Sequence, residues 1–211
     1  MISGLYVVTD SALSHGKSHV EIARESVAGG ASVIQLRDKT GSSVELYEEA
    51  CAIRDICRGT AVFIVNDRID IALASGADGV HLGQSDLPLP VARKICGPDF
   101  IIGISVGSVE EADAAVRDGA SYVAVSPVFS TTSKKDAGEG HGLSLVRDIR
   151  AKYPDIALVG IGGLSSENAP DAVAAGLDSI AVISAVVSRP DIAAAAQSLS
   201  AVITEALHDR N

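Results

Sequence analysis

Three polar side chains with a spacing of two follow a short apolar run and could bind an anion. Gln35, Arg37 and Lys39 share this spacing, so in an extended chain they point to the same side. An amide and two cations on one side suit an anionic group, because Arg presents a planar fork and Lys a point charge. A solvated cluster at the end of a strand is the alternative interpretation of the same residues.

Two aspartates that follow neighbouring apolar runs could bind a metal ion. Asn66 and Asp67 come directly after the run at 61–65, and Asp86 lies a few residues after the run at 79–82. Mg²⁺ usually binds one or two carboxylates together with substrate phosphates and water, and one aspartate from each run matches that habit. Both aspartates also precede predicted helices, so helix capping is the alternative.

Residues after the last two apolar runs indicate a phosphate site. The chain has eight short apolar runs. Gly162 and Gly163 follow the seventh, which begins near position 156, and Ile183 and Ser184 follow the eighth, which begins near position 179. Glycine lets backbone N–H groups approach phosphate oxygens. In eight-stranded α/β barrels the loops after strands seven and eight commonly form the phosphate site. A tight turn is the alternative explanation of the two glycines.

The segment 130–141 is a long polar loop that could close over a ligand. Its hydroxyl groups suit a phosphate, Lys134 could neutralise a leaving group, and its glycines would let it move as a lid. A mobile surface loop with solvated lysines is the alternative. We find no Ser-His-Asp or Cys-His order that indicates nucleophilic catalysis, which favours chemistry by positioning and charge neutralisation.

The histidines and cysteines predict no metal or disulfide framework. His81 lies inside an apolar run and is interpreted as a buried histidine of the barrel layers, whereas His19 is interpreted as a surface residue. Cys51, Cys57 and Cys96 are odd in number and lack a CxxC spacing. They therefore predict free thiols in a reduced cytoplasm.

Eight short apolar runs supply the framework that must position these residues. They are continuous rather than alternating, as expected for strands covered on both faces, and they begin near positions 5, 32, 61, 79, 100, 122, 156 and 179. Segments with helical spacing lie between them, at 19–28, 43–57, 68–75, 88–95, 108–117, 142–151, 165–174 and 190–207. A doubly wound sheet is the alternative, but eight runs favour an α/β fold with a single (βα)8 TIM barrel over residues 1–211. Its active site would lie at the C-terminal ends of the parallel strands.

Composition excludes several classes of partner. The chain has 211 residues, with 17 Lys and Arg against 27 Asp and Glu, and a formal net charge of −10. This balance argues against a nucleic-acid binder and against a polybasic membrane-surface protein. The sequence shows neither an apolar run of the ~20 residues that a membrane span needs nor a signal peptide. We expect a cytoplasmic protein with small-molecule phosphorylated substrates, and a homo-oligomer is compatible with the sequence.

Seven segments together resemble the thiamine phosphate synthase family. They occur in the family's order over nearly the whole chain: QLRDK at 35–39, NDRIDIA at 66–72, GVHLGQSDLP at 79–88, IIGIS at 101–105, SPVFSTTSKKDA at 126–137, GIGGLSSEN at 160–168 and AVISAV at 181–186. The resemblance implies a TIM-barrel transferase of thiamine biosynthesis. Such an enzyme joins hydroxymethylpyrimidine pyrophosphate to thiazole phosphate, or its carboxylate, and gives thiamine phosphate and pyrophosphate by a Mg²⁺-assisted dissociative substitution.

The resemblance also implies roles for individual residues. For the pyrimidine pyrophosphate it implies Gln35, Arg37, Lys39, Asn66, Ser105 and Lys134, with Lys134, Arg37, Lys39 and Ser105 as the catalytic groups. For the thiazole phosphate it implies Thr131, Thr132, Ser133, Gly163, Ile183 and Ser184. The implied Mg²⁺ ligands are Asp67 and Asp86. The sequence departs from the family pattern at Gly107, where members often have His.

Two other functions fit the same fold. The sister thiazole tautomerase resembles this chain less at NDR, GQSD and TTSK, and it tends to carry a His where this chain has Pro127. The other function is that of a non-catalytic sensor of thiamine phosphate, and Gly107 is the only residue that supports this hypothesis. The motifs favour the synthase over both alternatives.

Overall fold

The strands of the protein close into a parallel barrel, as the sequence predicts. The computed structural model describes residues 2–130 and 140–210. Each strand pairs with the next in sequence, and the eighth pairs with the first. The strands are β1 Gly4–Val8, β2 Val33–Leu36, β3 Val62–Asn66, β4 Gly79–Leu82, β5 Ile101–Val106, β6 Tyr122–Val125, β7 Ala157–Ile161 and β8 Ser179–Val182. This arrangement confirms the (βα)8 TIM barrel.

Helices cover the outside of the barrel. They are α1 His19–Ala28, α2 Ser43–Cys57, α3 Ile69–Ser75, α4 Leu89–Cys96, α5 Val109–Arg117, α6 Gly142–Lys152, α7 Ala169–Ala174, α8 Ser184–Val187 and α9 Ile192–Arg210, and a 3₁₀ turn spans Ser11–Leu13. No helix in the described part of the chain combines the length and the apolar composition that crossing a membrane requires.

Two helical segments differ from the sequence prediction. The helix predicted at 165–174 begins only at Ala169, because the Asn168 side chain accepts a hydrogen bond from the Ser165 N–H at 2.9 Å and forms a turn there. The predicted last helix is preceded by the separate four-residue helix α8. Such a helix is too short to produce a periodic pattern.

Continuous apolar strands account for the core. All four residues of β2, β4, β6 and β8 are buried, because the helices cover one face of each strand and the barrel interior covers the other. The largest fully buried side chains include Tyr6 and Tyr122. Gly103 makes room for one of them, since a Cβ at this position would overlap the Tyr122 ring.

Candidate active site

The C-terminal ends of the barrel strands bring the predicted residues to one face. Gln35 lies on β2, Asn66 ends β3, and Ser105 lies on β5. Loops that follow the strands carry the predicted residues Arg37, Lys39, Asp67, Asp86, Gly163 and Ile183, and Ser184 begins α8. The predicted residues Thr131, Thr132, Ser133 and Lys134 lie outside the described residues.

A hydrogen-bonded chain crosses the barrel interior beneath this face. Gln35 donates from Nε2 to the Tyr6 hydroxyl at 2.6 Å, and the hydroxyls of Tyr6 and Tyr122 are 2.9 Å apart. The two ring nitrogens of His81 lie 2.9 Å from the Tyr122 hydroxyl and 2.9 Å from Ser105 Oγ. Burial raises the pKa of both phenols well above the usual value, so both remain neutral donors.

One direction of donation satisfies this whole chain. If Tyr6 donates to Tyr122, Tyr122 can donate to Nδ1 of His81, and the Nε2–H of His81 can donate to Ser105. The hydroxyl hydrogen of Ser105 is then available to a ligand. His81 is therefore the buried histidine that the sequence predicts. The sequence does not predict its partner Tyr122 or the next member of the chain, Tyr6, because each lies in an apolar run without a local polar motif.

We expect Tyr122→Phe to lower the stability of the protein. The change removes the acceptor of the Tyr6 hydroxyl hydrogen and the donor to His81 Nδ1, while Gln35 still donates to Tyr6. Breaking buried hydrogen bonds in this way costs about 1–3 kcal/mol, so thermal or urea denaturation should show a loss of that order. Tyr153→Phe is the matched control, because that hydroxyl donates to Asp113 near the surface. Equal stability of the two variants would contradict the importance of the buried chain.

Asp67 and Asp86 lie side by side at the same face. Burial, followed by the charge of Asp86 and a hydrogen bond to it, raises the pKa of Asp67 to about 6, while Lys39 and Arg37 act in the opposite direction. The two carboxyl groups are thus neighbours, and both predicted cations are close enough to influence Asp67. Asp67 also has a left-handed backbone with φ of 61°, a strained conformation for a residue other than glycine.

Helix capping does not account for these two aspartates. The residue that caps α3 is Arg68 and the one that caps α4 is Pro88, and neither makes a side-chain capping hydrogen bond. Asp86 instead accepts the N–H of Gly83 through Oδ2 at 2.7 Å. The strained backbone and the raised pKa of Asp67 therefore favour a ligand-binding role for the pair.

Arg37 is held at the edge of the site by contacts from the two residues that follow β1. Its backbone N–H donates to Thr9 Oγ1 at 3.2 Å, and its guanidinium lies 3.4 Å from Asp10 Oδ2. The Arg37 side chain is 12% exposed. A guanidinium fixed in this way can present its remaining N–H groups to an anion without first losing conformational entropy.

The opposite side of the face carries the predicted phosphate residues. Gly162 and Gly163 have φ of 104° and 62°, which is the left-handed region that glycine adopts without strain. They lie against Phe129, which donates its N–H to the Gly162 carbonyl at 3.0 Å. Ile183 is buried and immediately precedes α8, which begins at Ser184.

His141 is a second histidine of the site, and it lies beside Gly107. A Cβ built at Gly107 would be 3.0 Å from His141 Nε2. The imidazole therefore stands next to the position where the family pattern often has His. Sequence reasoning missed this pairing, because the two residues lie on different loops.

Comparisons with known proteins agree with this geometry. The model of the thiamine monophosphate synthase family matches residues 5–186. A thiamine-phosphate synthase of Methanoregula boonei is 55% identical over 203 residues, covering 96% of this chain and 94% of that protein. One from Methanocella arvoryzae is 53% identical over 202 residues, covering 95% of each chain.

Solved structures show the same fold. The thiamine phosphate pyrophosphorylase of Pyrococcus furiosus superposes with a TM-score of 0.88 at 42% identity, covering 97% of this chain and 96% of that one. A 3-hexulose-6-phosphate synthase superposes with a TM-score of 0.72 at 20% identity, covering 95% and 99%. The second likeness shows the barrel alone.

The closed barrel and the charged groups at the C-terminal ends of its strands define a TIM-barrel enzyme. Because its relatives are named thiamine-phosphate synthases, the enzyme is a transferase. The match over residues 5–186 and the identities above 50% define the family. The chain belongs to the thiamine monophosphate synthase family.

Proposed function

We propose that this protein joins hydroxymethylpyrimidine pyrophosphate to thiazole phosphate, or to its carboxylate, and releases thiamine phosphate and pyrophosphate. The observation that carries the proposal is the convergence of Arg37 and Lys39 on the Asp67–Asp86 pair. Two cations beside two carboxylates can hold a pyrophosphate together with a divalent cation. The full-length similarity to named synthases supports the same reaction.

Asp67 and Asp86 fit a hard divalent cation, and we assign them as the Mg²⁺ ligands. They are neighbours, the charge of Asp86 contributes to the raised pKa of Asp67, and neither caps a helix. Oxygen donors from one or two carboxylates are the usual protein contribution to a Mg²⁺ site. When bound there, Mg²⁺ would neutralise pyrophosphate oxygens and so improve pyrophosphate as a leaving group.

The pyrimidine pyrophosphate is assigned to the side of the face formed by β2, β3 and β5. Gln35 and Ser105 stand at the two ends of the buried hydrogen-bonded chain, which fixes the orientation of both side chains. Asn66 is the last residue of β3 and adds an amide at the same edge. Arg37 and Lys39 receive the pyrophosphate, where each charge-assisted contact contributes roughly 1.5–3 kcal/mol.

The reaction needs no nucleophile from the protein. The bond from the pyrimidine methylene carbon to the pyrophosphate oxygen breaks first, and the oxygen keeps the electron pair. The pyrimidine's own amino group stabilises the resulting cation, and the thiazole nitrogen then forms the new bond to the methylene carbon. Arg37, Lys39 and Lys134 are assigned to the negative charge that develops on the leaving group.

The thiazole phosphate is assigned to the opposite side of the face. Gly163, Ile183 and Ser184 lie there, and Thr131, Thr132 and Ser133 are assigned to the same phosphate from their sequence. The left-handed backbone of Gly163 allows close approach of main-chain atoms to a phosphate. This placement leaves the two substrates on facing sides, as an in-line attack requires.

We expect Lys134→Ala to lower kcat about 100-fold, with little change in the KM for thiazole phosphate. One electrostatic donor to a developing charge is typically worth 10²–10³ in kcat. Steady-state kinetics with each substrate varied in turn measures both effects. The adjacent Lys135→Ala removes the same charge and is the matched control. If kcat of the Lys134 variant equals that of the control, Lys134 has no role at the leaving group.

The activity should also have an acidic limit set by Asp67. Its pKa of about 6 lies above the ordinary value, and a protonated carboxyl group binds Mg²⁺ poorly. Activity at limiting Mg²⁺ should therefore fall as the pH drops through 6. Higher Mg²⁺ should move that limit to lower pH, because metal and proton compete. An acidic limit that does not respond to Mg²⁺ would contradict this assignment.

Incubation of the purified protein with both substrates and Mg²⁺, followed by chromatography, tests the function. We expect thiamine phosphate to accumulate only when both substrates are present. Aromatisation of a thiazole carboxylate without the pyrimidine would indicate a tautomerase instead. Tight binding of thiamine phosphate by folded protein that makes no product would indicate a sensor.

We further propose a single domain over residues 1–211, a cytoplasmic location and no nucleic-acid partner. The free cysteines suit a reducing compartment, and the net charge of −10 disfavours polyanionic partners. Homo-oligomerisation is compatible with these features.

A further inference from the structure

A second group of side chains that could bind a metal ion lies where the loop after β2 meets α1 and α2. His19, Asp38 and Glu49 each offer a donor atom, and these atoms lie within 4.8 Å of one another. His19 begins α1, Asp38 follows β2, and Glu49 lies in the second turn of α2. The group shares no residue with the Asp67–Asp86 pair, and the function proposed above does not use it.

His19 is buried, and one of its ring nitrogens has no partner. The residue is only 3% exposed, so its interpretation as a surface residue is wrong. It begins α1 and its ring packs inward, because Nδ1 lies 2.7 Å from Thr9 Oγ1. Nε2 makes no hydrogen bond. With the proton on Nδ1, the lone pair of Nε2 is left for a metal ion, as in protein metal sites whose second nitrogen is held by a neighbour.

The protonation states also suit a metal site. Burial lowers the pKa of His19, although Asp38 and Asp10 oppose it, so the imidazole is neutral near pH 7 as a ligand must be. Burial opposes ionisation of Asp38, but hydrogen bonds from Thr40 and Gly41 lower its pKa overall. Asp38 is therefore an ionised ligand.

Glu49 is the member of the group whose buried charge most needs a partner. Its Oε2 is buried without a hydrogen-bond partner. Burial, then the charges of Asp38 and Glu45, raise the pKa of Glu49. In the described part of the chain, no Lys or Arg side chain lies within 4.0 Å of Asp38 or Glu49. A buried carboxylate beside another is costly without a cation, and a bound metal ion would remove that cost.

We propose that His19, Asp38 and Glu49 bind a divalent first-row transition ion of the Zn²⁺ type. One imidazole nitrogen and two carboxylates suit such an ion better than Mg²⁺, which prefers oxygen donors alone. Zn²⁺ binds these donors at about 2.0–2.2 Å, which places two of them about 3.4 Å apart in a tetrahedron. Small side-chain adjustments of donors that already lie within 4.8 Å are enough.

The ion would brace the loop that carries the proposed pyrophosphate-binding cations. Asp38 stands between Arg37 and Lys39, and Thr9 contacts both His19 and the backbone N–H of Arg37. Ligands from α1 and α2 would tie this loop to two helices. The ion would thus position Arg37 and Lys39 without contacting the substrates itself. Binding of the ion does not depend on the proposed function.

Calorimetric titration of Zn²⁺ into the protein, with Mg²⁺ in excess, tests the site. We expect one ion per chain with a micromolar or lower Kd. Glu49→Gln should weaken binding about 100-fold, and so should His19→Asn, which keeps a side-chain nitrogen near Thr9 but removes Nε2. Glu48→Gln makes the same charge change at an exposed position of the same helix and should bind like wild type.

One further variant and a spectrum exclude other locations of the ion. The Asp67→Asn, Asp86→Asn double variant should bind Zn²⁺ as tightly as wild type. Bound Co²⁺ should lack the intense thiolate charge-transfer band that binding at Cys51 would give. The proposal is overturned if Zn²⁺ does not bind at millimolar concentration, if the double variant loses binding, or if the thiolate band appears. It is also overturned if folded Glu49→Gln binds like Glu48→Gln.

Discussion

Replacement of both Asp67 and Asp86 by asparagine should lower kcat/KM about 1,000-fold, or about 4 kcal/mol, and abolish the dependence on Mg²⁺. The two carboxylates are neighbours and neither caps a helix, so helix capping does not compete with this interpretation. Asparagine keeps the size of each side chain but removes the charge that the cation requires. Steady-state kinetics over a range of Mg²⁺ concentrations measures the effect.

Stability distinguishes this loss from misfolding. The pKa of Asp67 is raised in the folded protein, so the unfolded chain gives up this proton at a lower pH. This group therefore lowers stability as the pH rises from about 4 to 6, and asparagine removes that cost. We expect the double variant, without Mg²⁺, to melt no lower than wild type at pH 7.5.

Asp99→Asn provides the control for the charge change, since Asp99 is exposed and precedes β5 at the opposite end of the barrel. It should keep both the activity and the Mg²⁺ dependence of wild type. If the double variant also keeps both, the pair has no metal-binding role.

The second large effect is expected from Arg37→Ala, which should lower kcat/KM for the pyrimidine pyrophosphate about 100-fold. The guanidinium is mostly buried and held by Asp10, while Thr9 holds the backbone beside it. Its removal takes away a preorganised, charge-assisted contact to the leaving group. The KM for thiazole phosphate should change little, because that substrate is assigned to the opposite side of the face.

Two further variants show whether charge or geometry matters at this position. Arg37→Lys should recover only part of the loss, since an ammonium lacks the planar fork of the guanidinium. Arg58→Ala, at a side chain that is 68% exposed, should have wild-type kinetics. A parallel rise in the KM for both substrates of Arg37→Ala would mean that the change perturbs the whole face.

The barrel and one edge of the site could be predicted from sequence for a simple physical reason. Strands covered on both faces read as continuous apolar runs, and polar residues that follow such runs must meet at one end of a parallel barrel. Gln35, Arg37 and the aspartates are local signals of this kind. The structure places them together.

The remaining features depend on contacts between distant segments. Tyr6 and Tyr122 read as ordinary strand residues, and only barrel closure brings their hydroxyls to 2.9 Å. His141 meets Gly107 from another loop. His19 looks polar and exposed at a helix start, yet its ring packs inward against Thr9. A local sequence pattern cannot predict such contacts, because the residues that form them are far apart in the chain.

The most direct test of the central claim measures thiamine phosphate and pyrophosphate together during a single reaction. We predict that wild-type protein forms the two products in a 1:1 ratio, only with both substrates and Mg²⁺ present. The Asp67→Asn, Asp86→Asn variant should form neither product at a comparable rate. Folded wild-type protein that forms no thiamine phosphate, or that releases pyrophosphate without forming it, would contradict the account.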